Sequence, residues 1–151
     1  MATVVTLANQ PTSFANVKIA HFVYSQLEKS SVFSSADGKI RRVVYVLKAG
    51  DPKFPTTASY QSAIVNATTG RTKHSVLLST WKVTTVDGVI TAQEPFEAKV
   101  EWTSADGVSL ADLSAILGSA YGLTYDALDG DNKPTTNVLN DIAFATLESL
   151  F

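Results

Sequence analysis

The chain is 151 residues long, a length that fits one domain with a sizeable core. It has no cysteine, which removes disulfides, thiolate nucleophiles and cysteine-ligated metals; no run of eighteen apolar residues that would span a membrane; and, in its opening MATVVTLANQ, neither the basic nor the apolar region of a signal peptide. Charge is unevenly placed within a net −2: residues 1–99 hold eleven of twelve Lys/Arg against six of fourteen Asp/Glu, a net +5, whereas residues 100–151 set Lys133 against eight acids, a net −7.

In chain order, residues 3–7 (TVVTL) are short and β-branched, and residues 9–12 form a turn signal. Residues 16–24 (NVKIAHFVY) alternate, with Val17, Ile19, His21 and Val23 on one side, so residues 1–24 predict an N-terminal hairpin. Residues 27–35 hold a short strand, Asp37-Gly38 a hairpin turn, and residues 39–48 (KIRRVVYVLK) the clearest β-branched run. Residues 49–57, with two prolines and a glycine, form a loop. Residues 58–66 and 73–83 flank a turn with Gly70 in the left-handed position. Residues 84–95 are a long connection with Asp87-Gly88 at its tip. About seven strands at hairpin spacing, with no βαβ alternation before residue 104, predict an antiparallel meander over residues 25–103.

Residues 96–103 alternate cleanly, Phe96, Ala98, Val100 and Trp102 against Glu97, Lys99, Glu101 and Thr103. The period then changes. Leu110, Leu113, Ile116, Leu117 and Ala120 fall at helical spacing behind Ser109, a cap with Asp112 three residues on, and Gly122 is the expected C-cap. A second helix is expected over residues 138–150, apolar on more than one side and so in need of cover by a second chain. The fold class is α+β: an N-terminal hairpin, a five-stranded antiparallel meander and two helices within residues 109–151, read as a single domain over residues 1–151.

Signals for catalysis are weak. His21 and His74 fall within predicted strands without a local partner, and no nucleophile elbow is present. Asp126, Asp129 and Asp131 lack calcium-loop spacing. Glu97 and Glu101 flank Lys99 as solvated strand residues do more often than an acid/base pair. The stronger feature is a polar strand face. With Thr69-Gly70 at the turn centre, Ser75 pairs with Ile64, Leu77 with Ser62 and Ser79 with Tyr60, so Tyr60, Ser62, Ser75 and Ser79 share a face with Lys73 and Lys99, and with Arg71 at its tip. Hydroxyls, a tyrosine and cations on an open, basic sheet suit phosphate contacts, base-edge hydrogen bonds and base stacking.

This order of elements resembles the coat protein of the single-stranded RNA bacteriophages, the leviviruses. The resemblance is most specific in TGRTKHSVLLSTWKV (residues 69–83) and EAKVEWTSADGVSLADLSAILGSAYGLTYDAL (residues 97–128), and in element order it covers nearly the whole chain. It implies a homodimer joined edge to edge into a ten-stranded sheet, with helices crossing over the partner. It further implies an icosahedral shell, commonly of ninety dimers, assembled in the bacterial host cytoplasm around single-stranded genomic RNA. On that resemblance the inner sheet face binds RNA, including a translational-repressor hairpin. Ser75, Ser62 and Lys73 match the family's contacts, and Tyr60, Arg71, Ser79 and Lys99 join them from the reading of the polar face. On the last strand, Glu97 and Lys99 stand where the best-known RNA binder has a tyrosine and an asparagine. Ser75 stands where the family has a hydroxyl contacting an unpaired adenine, and Leu77 where its best-known RNA binder has a lysine. No cofactor, metal or membrane is implied, and no enzymatic activity. The alternatives are a monomeric sheet-plus-helices module for RNA or a small ligand, and a hydrolase using a His and a carboxylate.

Overall fold

A computed structural model of the chain describes residues 5–12, 16–104, 107–124 and 128–133. They fall into two compact units, one of residues 22–106 and one of residues 1–21 with 107–151.

The first unit is a five-stranded antiparallel meander, β1(Leu27–Ser34), β2(Ile40–Leu47), β3(Thr57–Asn66), β4(Arg71–Val86) and β5(Val89–Ser104), with the strands side by side in sequence order. Each turn has its own chemistry. Between β1 and β2, Gly38 takes φ 71°. Asp37 Oδ1 accepts from Ser35 Oγ at 2.6 Å and Lys39 N at 3.0 Å, and these bonds hold its carboxyl below the usual range. Between β3 and β4, Asn66 Oδ1 accepts from the amides of Thr68 and Thr69, and Gly70 takes the expected left-handed φ of 70°.

The 84–95 segment, expected to be a long connection, is instead paired strand. β4 and β5 remain in register to Val86↔Val89, closed by a two-residue turn with Asp87 at φ 50° and Gly88 at φ 79°. Two consecutive positive φ values give the primed turn whose twist matches that of the flanking strands. A bulge leaves Thr91 as an extra residue, its hydroxyl donating to the Thr84 carbonyl at 3.3 Å. Beyond Thr57↔Ser79, β4 loses β3 as a neighbour, so the far half of this hairpin is a two-stranded ribbon.

The expected N-terminal hairpin is corrected: residues 5–12 and 16–23 carry no strand, and a single 3-10 turn, Tyr24–Gln26, leads into β1. Alternation marks a side-chain pattern, but a strand also requires a partner edge. In the described part of this segment the backbone bonds go elsewhere, Lys18 N to Asn132 O at 2.8 Å for one.

In the second unit, α1(Leu110–Gly122) starts where expected, with Ser109 Oγ accepting the amide of Asp112 at 3.1 Å. Its end differs from expectation: Gly122 is the last helical residue, and Leu123 caps it in a right-handed conformation. The left-handed glycine of this unit is Gly107, at φ 87°. The expected helix over residues 138–150 lies outside the described residues. Asp129 Oδ1 is taken up as a turn acceptor for Asp131 N and Lys133 N, which holds its carboxyl below the usual range.

Among the described residues, neither unit encloses a core of large side chains. Among the described residues only Ala58 and Thr56 are buried, while Phe96 is 63% exposed, Val100 53% and Leu110 79%.

Candidate nucleic-acid interface on the sheet

Strand register decides which side chains share a face, and it corrects the expected site. β3 and β4 pair as Gln61↔Ser75, Ser59↔Leu77, Ser62↔His74 and Tyr60↔Val76. The turn spans four residues, with Gly70 as its last, and a bulge at Val65 adds one more step. Together these shift the pairing by three residues from the expected register. An odd shift moves a strand's whole side-chain set to the opposite face.

Tyr60 and Ser62 therefore leave the expected site. On their face, Ser62 Oγ bonds His74 Nδ1 at 2.8 Å, and His74 Nε2 bonds Ser104 Oγ at 2.8 Å. The His74 ring stacks on Trp102 with centroids 5.5 Å apart. Tyr60 meets Tyr45 edge-on at 5.4 Å, and Tyr45 in turn shares a 2.9 Å hydroxyl contact with Tyr24. That hydrogen bond, reinforced by burial, raises the Tyr45 phenol above its ordinary value. A shallow recess of about 230 Å³ opens beside His74, between Arg41, Val43 and Trp102. With Val76, Leu78, Ala98 and Val100 on the same side, this is the apolar face of the sheet.

The opposite face keeps Lys73, Ser75, Ser79 and Lys99, as expected, and gains Ser59, Gln61 and Arg42. Arg71 is exposed two residues before Lys73, on the same side of β4. Glu101 lies between two cations, 3.3 Å from Lys73 Nζ and 3.4 Å from Lys99 Nζ. Burial pushes its carboxyl up, but hydrogen bonding and charge from Lys73, then Lys99, outweigh this and hold it below the ordinary glutamate value. Ser79 Oγ donates to Glu97 at 3.3 Å. The hydroxyl of Ser75 makes no side-chain hydrogen bond among the described residues.

Arg42 was missed from sequence. Its signal is the Arg41-Arg42 pair at the head of β2, whose two guanidinium groups go to opposite faces. Only the β2–β3 register assigns Arg42 to the side of Gln61 and Ser75. The carboxylates Glu97 and Glu101 are engaged by Ser79 and by Lys73 and Lys99, respectively. Among the described residues no cluster of His, Asp and Glu could hold a metal ion.

No protein-family model matches the chain, and no curated protein matches it. Among solved structures, the chain is similar to one from the virus-like particle of bacteriophage AVE015, with a TM-score of 0.66 and 16% identity, over 99% of this chain and 98% of that one. A chain of the virus-like particle of Wenzhou levi-like virus 4 aligns at a TM-score of 0.43 and 22% identity, over 78% and 85% of the two chains. The fold is thus shared from end to end with a particle-forming chain.

Proposed function

We propose that this chain is a coat subunit that dimerises, assembles into an icosahedral shell and packages single-stranded RNA against the polar face of its sheet. The observation that carries this reading is the end-to-end fold likeness to a virus-like-particle chain. Two physical features support it.

A one-layer sheet with an apolar face needs a second layer to exclude water, and the described residues of the sheet unit supply none. β5 is also a free edge of sixteen residues, with Pro95 tolerated on it because an edge position can dispense with an amide donor. Pairing β5 with its copy in a second chain extends the sheet to ten strands, and helices contributed across the dimer cover the apolar face. This role is structural, not catalytic. Assembly proceeds in the host cytoplasm, and the polar face then lines the interior. It takes genomic RNA there through Lys73, Ser75, Lys99, Arg71 and Arg42, with Ser79 beside them, and a repressor hairpin is a ligand of the same face.

The mass of the purified protein tests the shell. Megadalton particles absorbing at 260 nm are expected, and a 16.1 kDa monomer at micromolar concentration would eliminate the reading in favour of a monomeric binding module. RNA content tests the face separately. Lys73→Glu/Lys99→Glu is expected to give dimers that package less RNA, and undiminished RNA in those particles refutes the role assigned to the face.

A further inference from the structure

We propose that Phe33 and Arg42 form a base-stacking platform that takes one unpaired nucleobase of single-stranded RNA together with its phosphate. This rests on the reading that the polar face meets RNA, and it places the strongest base contact at the β1–β2 end of the sheet.

Phe33 pairs with Arg42, Arg42 with Gln61, and Gln61 with Ser75, so four neighbouring strands present one continuous row. Within that row the Arg42 guanidinium lies over the Phe33 ring, 5.7 Å from its centroid. Arg42 Nε donates to Gln61 Oε1 at 2.9 Å, which fixes the guanidinium and leaves its terminal nitrogens outside that bond. Phe33 remains 51% exposed on this face.

The charge on this face is unevenly compensated. Lys73 and Lys99 both lie against Glu101, whereas Arg42 has no carboxylate partner among the described residues. Among the described residues, Arg42 and Arg71 are the cations on this face with charge left for a phosphate, and of the two it is Arg42 that lies over an aromatic ring. A phenyl ring and a planar guanidinium held together are the surfaces on which bases stack in a sequence-tolerant way. Beside them, the Gln61 amide group supplies donors, and the uncommitted Ser75 hydroxyl supplies donor and acceptor, for a base edge or a 2′-hydroxyl. An acidic peptide would satisfy Arg42 alone. The aromatic face beside an amide–hydroxyl row matches a base, which stacks and hydrogen-bonds at once.

The test uses the full-length protein released from shells and freed of RNA, with a labelled oligoadenylate and a blunt RNA duplex as probes read by anisotropy. Phe33→Leu keeps an apolar strand residue and removes the π face. It is expected to weaken oligoadenylate binding about tenfold and to leave duplex binding unchanged. Arg42→Lys keeps the charge and loses the planar fork. It is expected to weaken oligoadenylate binding about threefold, with an unchanged salt slope, and it carries the test if Phe33→Leu does not fold. Wild-type affinity in the variants, or equal losses on both probes, overturns the platform while leaving the RNA-binding face in place. Wild-type protein that binds neither RNA overturns the face itself. Binding of polyglutamate in place of oligoadenylate assigns the face to a protein partner and overturns both.

Discussion

At the residue scale, two serines separate the two faces of the sheet. Ser75 belongs to the polar face, its hydroxyl without a side-chain hydrogen bond among the described residues, whereas Ser62 belongs to the apolar face as a partner of His74. Ser75→Ala is therefore expected to lower RNA affinity with little effect on stability. Ser62→Ala should leave RNA affinity unchanged and destabilise the fold by about 1 kcal/mol through the lost hydrogen bond. Parallel binding titrations and denaturation curves check the pair, and the reverse pattern would contradict the register. Glu101 supplies a pH dependence. Its folded-state carboxyl sits below the ordinary value of 4.5, so its contribution to stability is present above that value and fades as pH falls through the folded value. As it protonates, Lys73 and Lys99 lose their shared counter-charge. Lys73→Met is expected to move the Glu101 midpoint upward, towards its ordinary value, in a carboxylate NMR titration. Glu101→Gln is expected to strengthen RNA binding at neutral pH.

At the element scale, the β4–β5 hairpin depends on its two-residue turn. A side chain at Gly88 meets no neighbouring atom within 4 Å but must adopt φ 79°, so Gly88→Ala is expected to cost about 1–2 kcal/mol through backbone strain alone. Gly107 is constrained in both respects: a Cβ there would lie 2.9 Å from Val5 Cγ2, at φ 87°. Gly107→Ala should therefore cost more than Gly88→Ala in the same denaturation assay. The exposed ribbon of residues 81–95 carries Val86, Val89 and Ile90 at 55%, 65% and 47% exposure. Two strands alone are marginal in water, so on the proposed coat-subunit reading contacts with other copies supply its order.

At the scale of the whole molecule, β5 is an edge of the sheet, one sheet face is apolar, and no large side chain is enclosed in either unit among the described residues. Stability that resides in association is concentration-dependent. If the chain associates as proposed, raising the protein concentration is expected to raise its thermal midpoint, and a concentration-independent midpoint would indicate a chain stable by itself.

The sequence by itself determined the five-strand meander, the Asp37-Gly38 and Gly70 turns and the Ser109 cap. These features are local: periodicity, left-handed glycines and capping oxygens act over a few residues. Tertiary structure decided what depends on pairing between distant residues. One bulge at Val65 and a four-residue turn moved Tyr60 and Ser62 to the far face and brought Gln61 beside Ser75. The β2–β3 register placed Arg42 in that row. Alternation at residues 16–24 gave no strand, and residues 84–95, which read as a connection, became one. A strand's side chains are known from its own sequence, but the face they share with a neighbour follows from register, which a single inserted residue inverts.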